Sequence, residues 1–283
     1  MGFIFQNCKS SQNATVQKAS NIPITAIYSP INGQSNAGGG WKNFIGDKES
    51  GASCLEDSIK SVTELPVVSL LKGTNGKFII SSTGGSTVDN ITTSQGDDKV
   101  WWYIDENRPG GALLHSVKIM KAQYADMVTK YGEGVVIKMP WSQGESNASY
   151  LARKKGAKRG KIVERYKEGT KKVFAYMEKE LGVPIDFFLI KARPIDEDGA
   201  VARGFSPHKI ADYQEAFRII RLAQDELIAE MDNVHFGADP LNLATARDWN
   251  PEKKKDDIYH YHPETYEVLG RECASSILKQ MGF

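Results

Sequence analysis

Little in this sequence points to a covalent scaffold, a metal centre or a membrane span. Cysteine is scarce: Cys8, Cys54 and Cys273 are the only three in 283 residues, and they lie far apart. An odd, dispersed set offers neither a CxxC ligand spacing nor a disulfide framework, so no metal and no cofactor are expected. Excess charge is also lacking, with 36 Lys and Arg against 35 Asp and Glu. A protein that grips nucleic acid through its phosphates needs a basic surplus, so no nucleic-acid partner is expected. No apolar run reaches the roughly 18 residues that span a bilayer, which excludes a membrane-spanning helix and leaves no membrane partner expected. The start, Met1 to Cys8, has no basic stretch followed by a long apolar one. No secretory signal is therefore expected, and the expectation is a cytoplasmic chain or one carried out by assembly into a virus particle.

What is present suits a globular enzyme. The chain is 40% hydrophobic and 25% charged, enough to fill the core of one large α/β domain. Residues 1–21 are polar and weakly patterned and read as a loose N-terminal arm, leaving 22–283 as a single domain. Short β-rich runs occur at 22–28, 77–82, 135–139, 185–190 and 233–236. Between them, apolar residues fall at helical spacing over 112–130, 161–181, 211–231 and 263–281. The apolar stretch 64–71 is ambiguous and is assigned to helix. Strands alternating with helices imply a parallel sheet covered on both faces. Functional groups in such sheets collect at the carboxyl ends of the strands.

Three segments at those ends carry chemistry: Gly33-Gln34-Ser35-Asn36, Trp141-Ser142-Gln143-Gly144-Glu145-Ser146, and Asp257-Ile258-Tyr259-His260. A serine on a tight glycine-flanked turn after a strand presents its hydroxyl, and its own N–H faces a developing oxyanion. Serine at its free pKa is a weak nucleophile and needs a base. His260 fits that role, with Asp257 three residues earlier to hold the imidazole tautomer. His262 and Asp256 are the rivals for those two roles. Gly84 or Gly85, after the second strand, offers a second backbone donor, and the Gln143 amide a third. Each segment alone is weak, because Ser-Asn after glycine is usually a plain turn and DxxH arises by chance. Their order on the right elements is what counts.

That order resembles the SGNH hydrolases, and more narrowly the sialate O-acetylesterase branch of carbohydrate esterases. The tail from Asp257 to Gly270 follows the DxxHxxPExYxxLG ending of that family, and the resemblance runs from about Ile24 to Ala274. It implies Ser35 as nucleophile, His260 as base and Asp257 as its partner. It also implies an oxyanion hole from Ser35, Gly85 (or Gly84) and Gln143, with Gln143 where the wider superfamily has its name-giving Asn. Gln34, Asn36, Gly84 and Glu145 would support the site, Glu145 as a buried carboxylate. Two positions depart from the pattern: Ala37 stands where members often carry Met, and Thr265 where they often carry Gly. The expected fold is a three-layer α/β/α sandwich with a flavodoxin-like central parallel sheet of about five strands.

Other residues have competing readings. Trp101 and Trp102, and Trp41 close behind Ser35, could stack on a sugar face or plug loops onto the core; Trp141 is expected to pack beneath the site. The basic run Arg153, Lys154, Lys155, Lys158, Arg159 and Lys161 could touch an acidic polysaccharide, but a solvated loop and helix start is the preferred reading. His115, His208 and His235 have no ligand-like spacing. The functional expectation is a serine esterase removing O-acetyl groups from a carbohydrate, sialic acid or a polysaccharide, through an acyl-enzyme. A phage-tail or bacterial polysaccharide deacetylase would suit the absent signal and the basic run. The alternatives are an esterase or lipase acting on a non-carbohydrate acyl ester, or an inert carbohydrate-binding relic.

Overall fold

The computed structural model describes residues 22–39, 51–69, 82–83, 85–89, 96–154, 157–242, 258–261 and 263–283. The expected N-terminal arm therefore lies outside the described residues, as do Trp41, Gly84, Asp256, Asp257 and His262.

The chain enters through β1 (Ala26–Tyr28) and β2 (Asn32–Gly33), which leads into the short helix α1 (Ser35–Gly39). Helix α2 (Gly51–Thr63) and strand β3 (Val67–Val68) follow. Next come β4 (Thr87–Asp89), β5 (Val100–Tyr103) and β6 (Arg108–Pro109), then helix α3 (Gly111–Tyr131). Strand β7 (Val135–Ser142) runs into α4 (Glu145–Leu151) and the long α5 (Ala157–Leu181). Strand β8 (Ile185–Ile190), α6 (Glu197–Ala202), α7 (Pro207–Glu230), β9 (Val234–Ala238) and α8 (Pro263–Met281) complete the order.

Strands β3, β1, β7, β8 and β9 lie side by side in that order, all parallel, and β2 pairs with the end of β7 to make six strands in the sheet. Leaving β2 aside, the order 2-1-3-4-5 is that of flavodoxin-like sheets. Successive residues of a strand face opposite sides, and the two hydrophobic layers follow that rule. Ala26 and Tyr28, with Phe187 and Leu189, join Met120 of α3, Phe174 of α5 and Phe217 of α7. Ile27, Phe188 and Ile190 face the other way onto Leu55 and Ile59 of α2 and Leu269 and Ile277 of α8. The result is the expected α/β/α sandwich.

Two expectations change. The stretch 64–71, assigned to helix, contains β3, whose Val67 pairs with Ile27 in the edge ladder. Its preceding turn is closed by Glu64 in a left-handed conformation at φ 59°, which ends α2 before the valines. The strand expected at 77–82 lies outside the described residues apart from Ser82. Strand β7 also runs three residues past the expected stop at Met139, straight through Pro140. The β1 side of its ladder is interrupted there, between Tyr28 and Asn32, the kind of gap in which a strand tolerates a missing N–H. A smaller three-stranded sheet, β4-β5-β6, was not foreseen.

Candidate active site

The nucleophile turn is fixed by backbone before any side chain acts. Gly33 sits at φ 126°, and a Cβ there would lie 2.0 Å from the Ser142 carbonyl oxygen. Only glycine lets β2 close against the end of β7 in this way. Gln34 N then donates to Ser142 O at 2.9 Å, and Thr83 N donates to Gly33 O at 2.9 Å. The turn is thereby held from both sides, and Ser35 opens α1 with its side chain only half-buried.

A second turn mirrors the first. Gly144, at φ 142°, connects β7 to α4 with Ile220, Ala192 and Gln224 packed against the space a Cβ would need. The Gln34 side-chain oxygen accepts from Ser146 N at 3.3 Å, so the two turns are tied together. Behind them Trp141 is fully buried, with Trp101 at 4.9 Å and Phe174 at 5.2 Å between ring centres, both edge-on. Trp141 packs under the site, as expected.

Asn36, 1% exposed, links the turn to the histidine loop. Its Nδ2 donates to Glu145 Oε1 at 2.7 Å and to the Tyr259 carbonyl at 3.1 Å, and its Oδ1 accepts from the Tyr266 hydroxyl at 2.8 Å. One amide therefore joins the residue after Ser35, the carboxyl of α4, the residue before His260, and the start of α8. Burial pushes the pKa of Glu145 up, against the lowering effect of the Asn36 hydrogen bond and of nearby His260. Its second oxygen has no hydrogen-bond partner among the described residues, which also suits a carboxyl that keeps its proton.

These elements surround a cleft of about 410 Å³ lined by Gln34, Ser35, Gly85, Glu145 and His260 on one side. Thr87, Ser146, Ser149, Tyr150, Arg153 and Tyr259 complete the wall. The structure thus brings Ser35, Gly85 and His260 to one cavity at the carboxyl ends of β2 and β7. Gly84, Asp257 and Trp41 lie outside the described residues.

Three expected residues are elsewhere. Trp101 is 0% and Trp102 7% exposed. Trp101 donates from its indole nitrogen to Ser86 Oγ at 2.8 Å, and Trp102 stands edge-on to Tyr176 at 5.9 Å. Both are core plugs, and neither presents a face to the cleft. Gln143 is 1% exposed and lies behind the wall. Its Nε2 donates to Asn147 Oδ1 at 2.8 Å, and its main-chain oxygen accepts from Gln224 and Tyr166.

Ser149, Tyr150 and Tyr259 were not singled out from the sequence. With Ser146 of the motif and Arg153 of the basic run, Ser149 and Tyr150 fall at positions i, i+3, i+4 and i+7, which is one face of a helix beginning at the motif. Tyr259 stands inside the Asp257–His260 segment itself, and its hydroxyl accepts from Ser149 Oγ at 3.1 Å.

No family model matches the sequence. Among solved structures, a carbohydrate acetylesterase family member from Sinorhizobium meliloti matches with a TM-score of 0.51 at 11% identity, covering 92% of this chain and all of that one. A second structure, that of Est24, a carbohydrate acetylesterase from the same organism, matches with a TM-score of 0.51 at 10% identity, covering 90% of this chain and 99% of that one. The chain shares the fold of these carbohydrate acetylesterases, a parallel sheet between two layers of helices.

Proposed function

We propose that the protein is a serine esterase of the SGNH type that removes acetyl groups from an O-acetylated carbohydrate. The observation that carries the proposal is that Ser35, Gly85 and His260 line one cleft at the strand ends. Similarity in fold to two carbohydrate acetylesterase structures supports the same reading.

In this mechanism Ser35 Oγ bonds to the acetyl carbon as its proton passes to His260. The carbonyl electrons move onto oxygen, where the N–H groups of Ser35 and Gly85 stabilise the charge. Collapse breaks the bond to the sugar oxygen, which leaves with the proton from His260. Water then repeats the path, releasing acetate and restoring Ser35. Asp257 is assigned to hold the His260 tautomer. Glu145 and Asn36 keep the serine turn and the histidine loop in register. The half-buried rings of Tyr150 and Tyr259, with the hydroxyls of Ser146, Ser149 and Thr87, form the sugar-facing wall in place of Trp101 and Trp102.

The test is acetate release from acetylated xylo-oligosaccharides, acetylated sialic acid and p-nitrophenyl acetate by the wild type and Ser35→Ala. The proposal expects turnover that Ser35→Ala abolishes. Equal rates in the two proteins would overturn the serine mechanism. Turnover of long-chain acyl esters without any sugar acetate would overturn the substrate class.

A further inference from the structure

Among the described residues that line the cleft, Arg153 is the only arginine or lysine. The side chain is exposed, one helical turn beyond Tyr150 and Ser149 on the same face. Its neighbours are the hydroxyls of Tyr213 and Tyr259, and no carboxylate among the described residues pairs with it. Three other arginines are each paired with carboxylates. Arg165 is shared by Asp89 and Asp105, Arg221 grips Asp239 with both nitrogens, and Arg218 pairs with Glu215. Glu145, the only carboxyl among the described lining residues, is turned to Asn36 and favours its neutral form.

The cleft wall is positive beyond Arg153 as well. Lys154 stands over the ring of Tyr150 at 4.8 Å, and Arg203 over that of Tyr259 at 5.9 Å. The two tyrosines facing the cavity are thus each backed by a cation. A guanidinium with a planar fork of donors and no anionic partner is built to take a carboxylate through two parallel hydrogen bonds. We propose that Arg153 is a specificity-determining residue that binds the carboxylate of the substrate, so that the preferred substrate is an O-acetyl ester of an acidic sugar. This deepens, and rests on, the esterase reading of the same cleft.

Arg153 also gives a physical role to the start of the basic run 153–161, otherwise a solvated stretch. An acidic polymer would meet Arg153 in the cleft first, with Lys154 beside it. Because the interaction is between an exposed cation and a mobile anion, it weakens with salt.

The experiment compares Arg153→Met and Arg153→Lys with the wild type on four substrates. These are p-nitrophenyl acetate, an acetylated neutral xylo-oligosaccharide, an O-acetylated hexuronate oligosaccharide and an O-acetylated nonulosonic acid. The expected result is a kcat/KM on at least one acidic sugar that falls about ten- to hundredfold in Arg153→Met, mostly through KM. Arg153→Lys is expected to recover part of the loss, and rates on the two neutral esters to stay within about threefold. Whichever acidic sugar shows the loss identifies the source of the carboxylate. In parallel, titration of Ser35→Ala with the unreacted acidic and neutral esters, read by calorimetry, measures binding without turnover. Tighter binding of an acidic sugar, lost in the Ser35→Ala, Arg153→Met double variant, supports the proposal. Equal losses on neutral and acidic esters, or no loss on either, would overturn it while leaving the esterase reading intact. Absence of turnover on every ester by the wild type would overturn the esterase reading instead, and the binding titration then decides Arg153 separately.

Discussion

Replacing Asn36 by alanine removes the one amide that joins the serine turn to the histidine loop. Three hydrogen bonds go with it, to Glu145, to the Tyr259 carbonyl and from the Tyr266 hydroxyl. The largest costs fall on the groups left behind. Glu145 Oε1 loses its amide donor while Oε2 has no partner among the described residues, and the buried Tyr266 hydroxyl loses its acceptor. A buried polar group stranded in this way costs about 1–3 kcal/mol. The Glu145 oxygen bears that cost, and the Tyr266 hydroxyl loses less because it still accepts from Tyr261 N at 3.3 Å. Together they amount to about 3 kcal/mol. For 283 residues, at about 2.1 cal/mol/K of unfolding entropy per residue, that is a fall in Tm of about 5 °C. Catalysis is expected to suffer independently of folding, because His260 follows Tyr259 directly and a shift of about 1 Å at a catalytic group can cost 10²-fold in rate. Thermal unfolding followed by circular dichroism, with acetate release measured well below the transition, separates the two effects. The expected result is a lower Tm together with a fall in kcat that exceeds any change in KM. A variant that melts within about 2 °C of the wild type and keeps full kcat would refute the linking role given to Asn36.

Two further outcomes follow from the geometry. Burial pushes the pKa of Asp89 from its ordinary 3.8 up to about 6, against the ion pair with Arg165. The folded state therefore holds this proton more tightly than the unfolded one between those values. The contribution of Asp89 to stability falls as pH rises from about 4 to about 6 and is flat above. At 1.36 kcal/mol per pKa unit the full change is about 3 kcal/mol. Asp89→Asn removes the titration, so the stability of the variant relative to the wild type is expected to rise between pH 4 and pH 7 in urea denaturation; a relative stability that declines over that range would contradict the assignment. For Gln143, whose amide is turned to Asn147, alanine substitution is expected to lower kcat less than tenfold. Loss of a true oxyanion donor costs about 10²–10³, so a drop of that size would show that Gln143 swings into the cleft during reaction.

The parts of the fold that were legible are those in which one physical signal dominated. Alternating β-rich runs and helical spacings foretold the parallel sheet, and helices α3, α5, α7 and α8 appear where apolar residues repeat at helical intervals. Strand β3 was misread because Val67 and Val68 sit in a short apolar stretch with no period of its own, and the deciding contact with Ile27 is 40 positions away. Pro140 gave a false end to β7 because its missing N–H falls where the neighbouring ladder is already broken. At the site, the glycine turn and the late histidine were legible because their backbone needs are written locally. The tryptophans were not. Trp101 and Trp102 look alike in sequence whether they face a sugar or the core, and only the Trp141 and Tyr176 rings facing them decide. Ser149 and Tyr150 were hidden for the opposite reason, since their place in the cleft wall depends on the helix that begins at Glu145.

The central claim is that Ser35, and no other serine of the cleft, is the nucleophile. Ser146 and Ser149 line the same cavity and are the natural competitors. Incubation with a fluorophosphonate, which bonds covalently to an activated serine, followed by proteolysis and mass spectrometry, reads the answer directly. The account predicts a single adduct on the peptide carrying Ser35, formed much more slowly in His260→Ala. An adduct on Ser146 or Ser149, or no adduct under conditions that label known serine esterases, would contradict it.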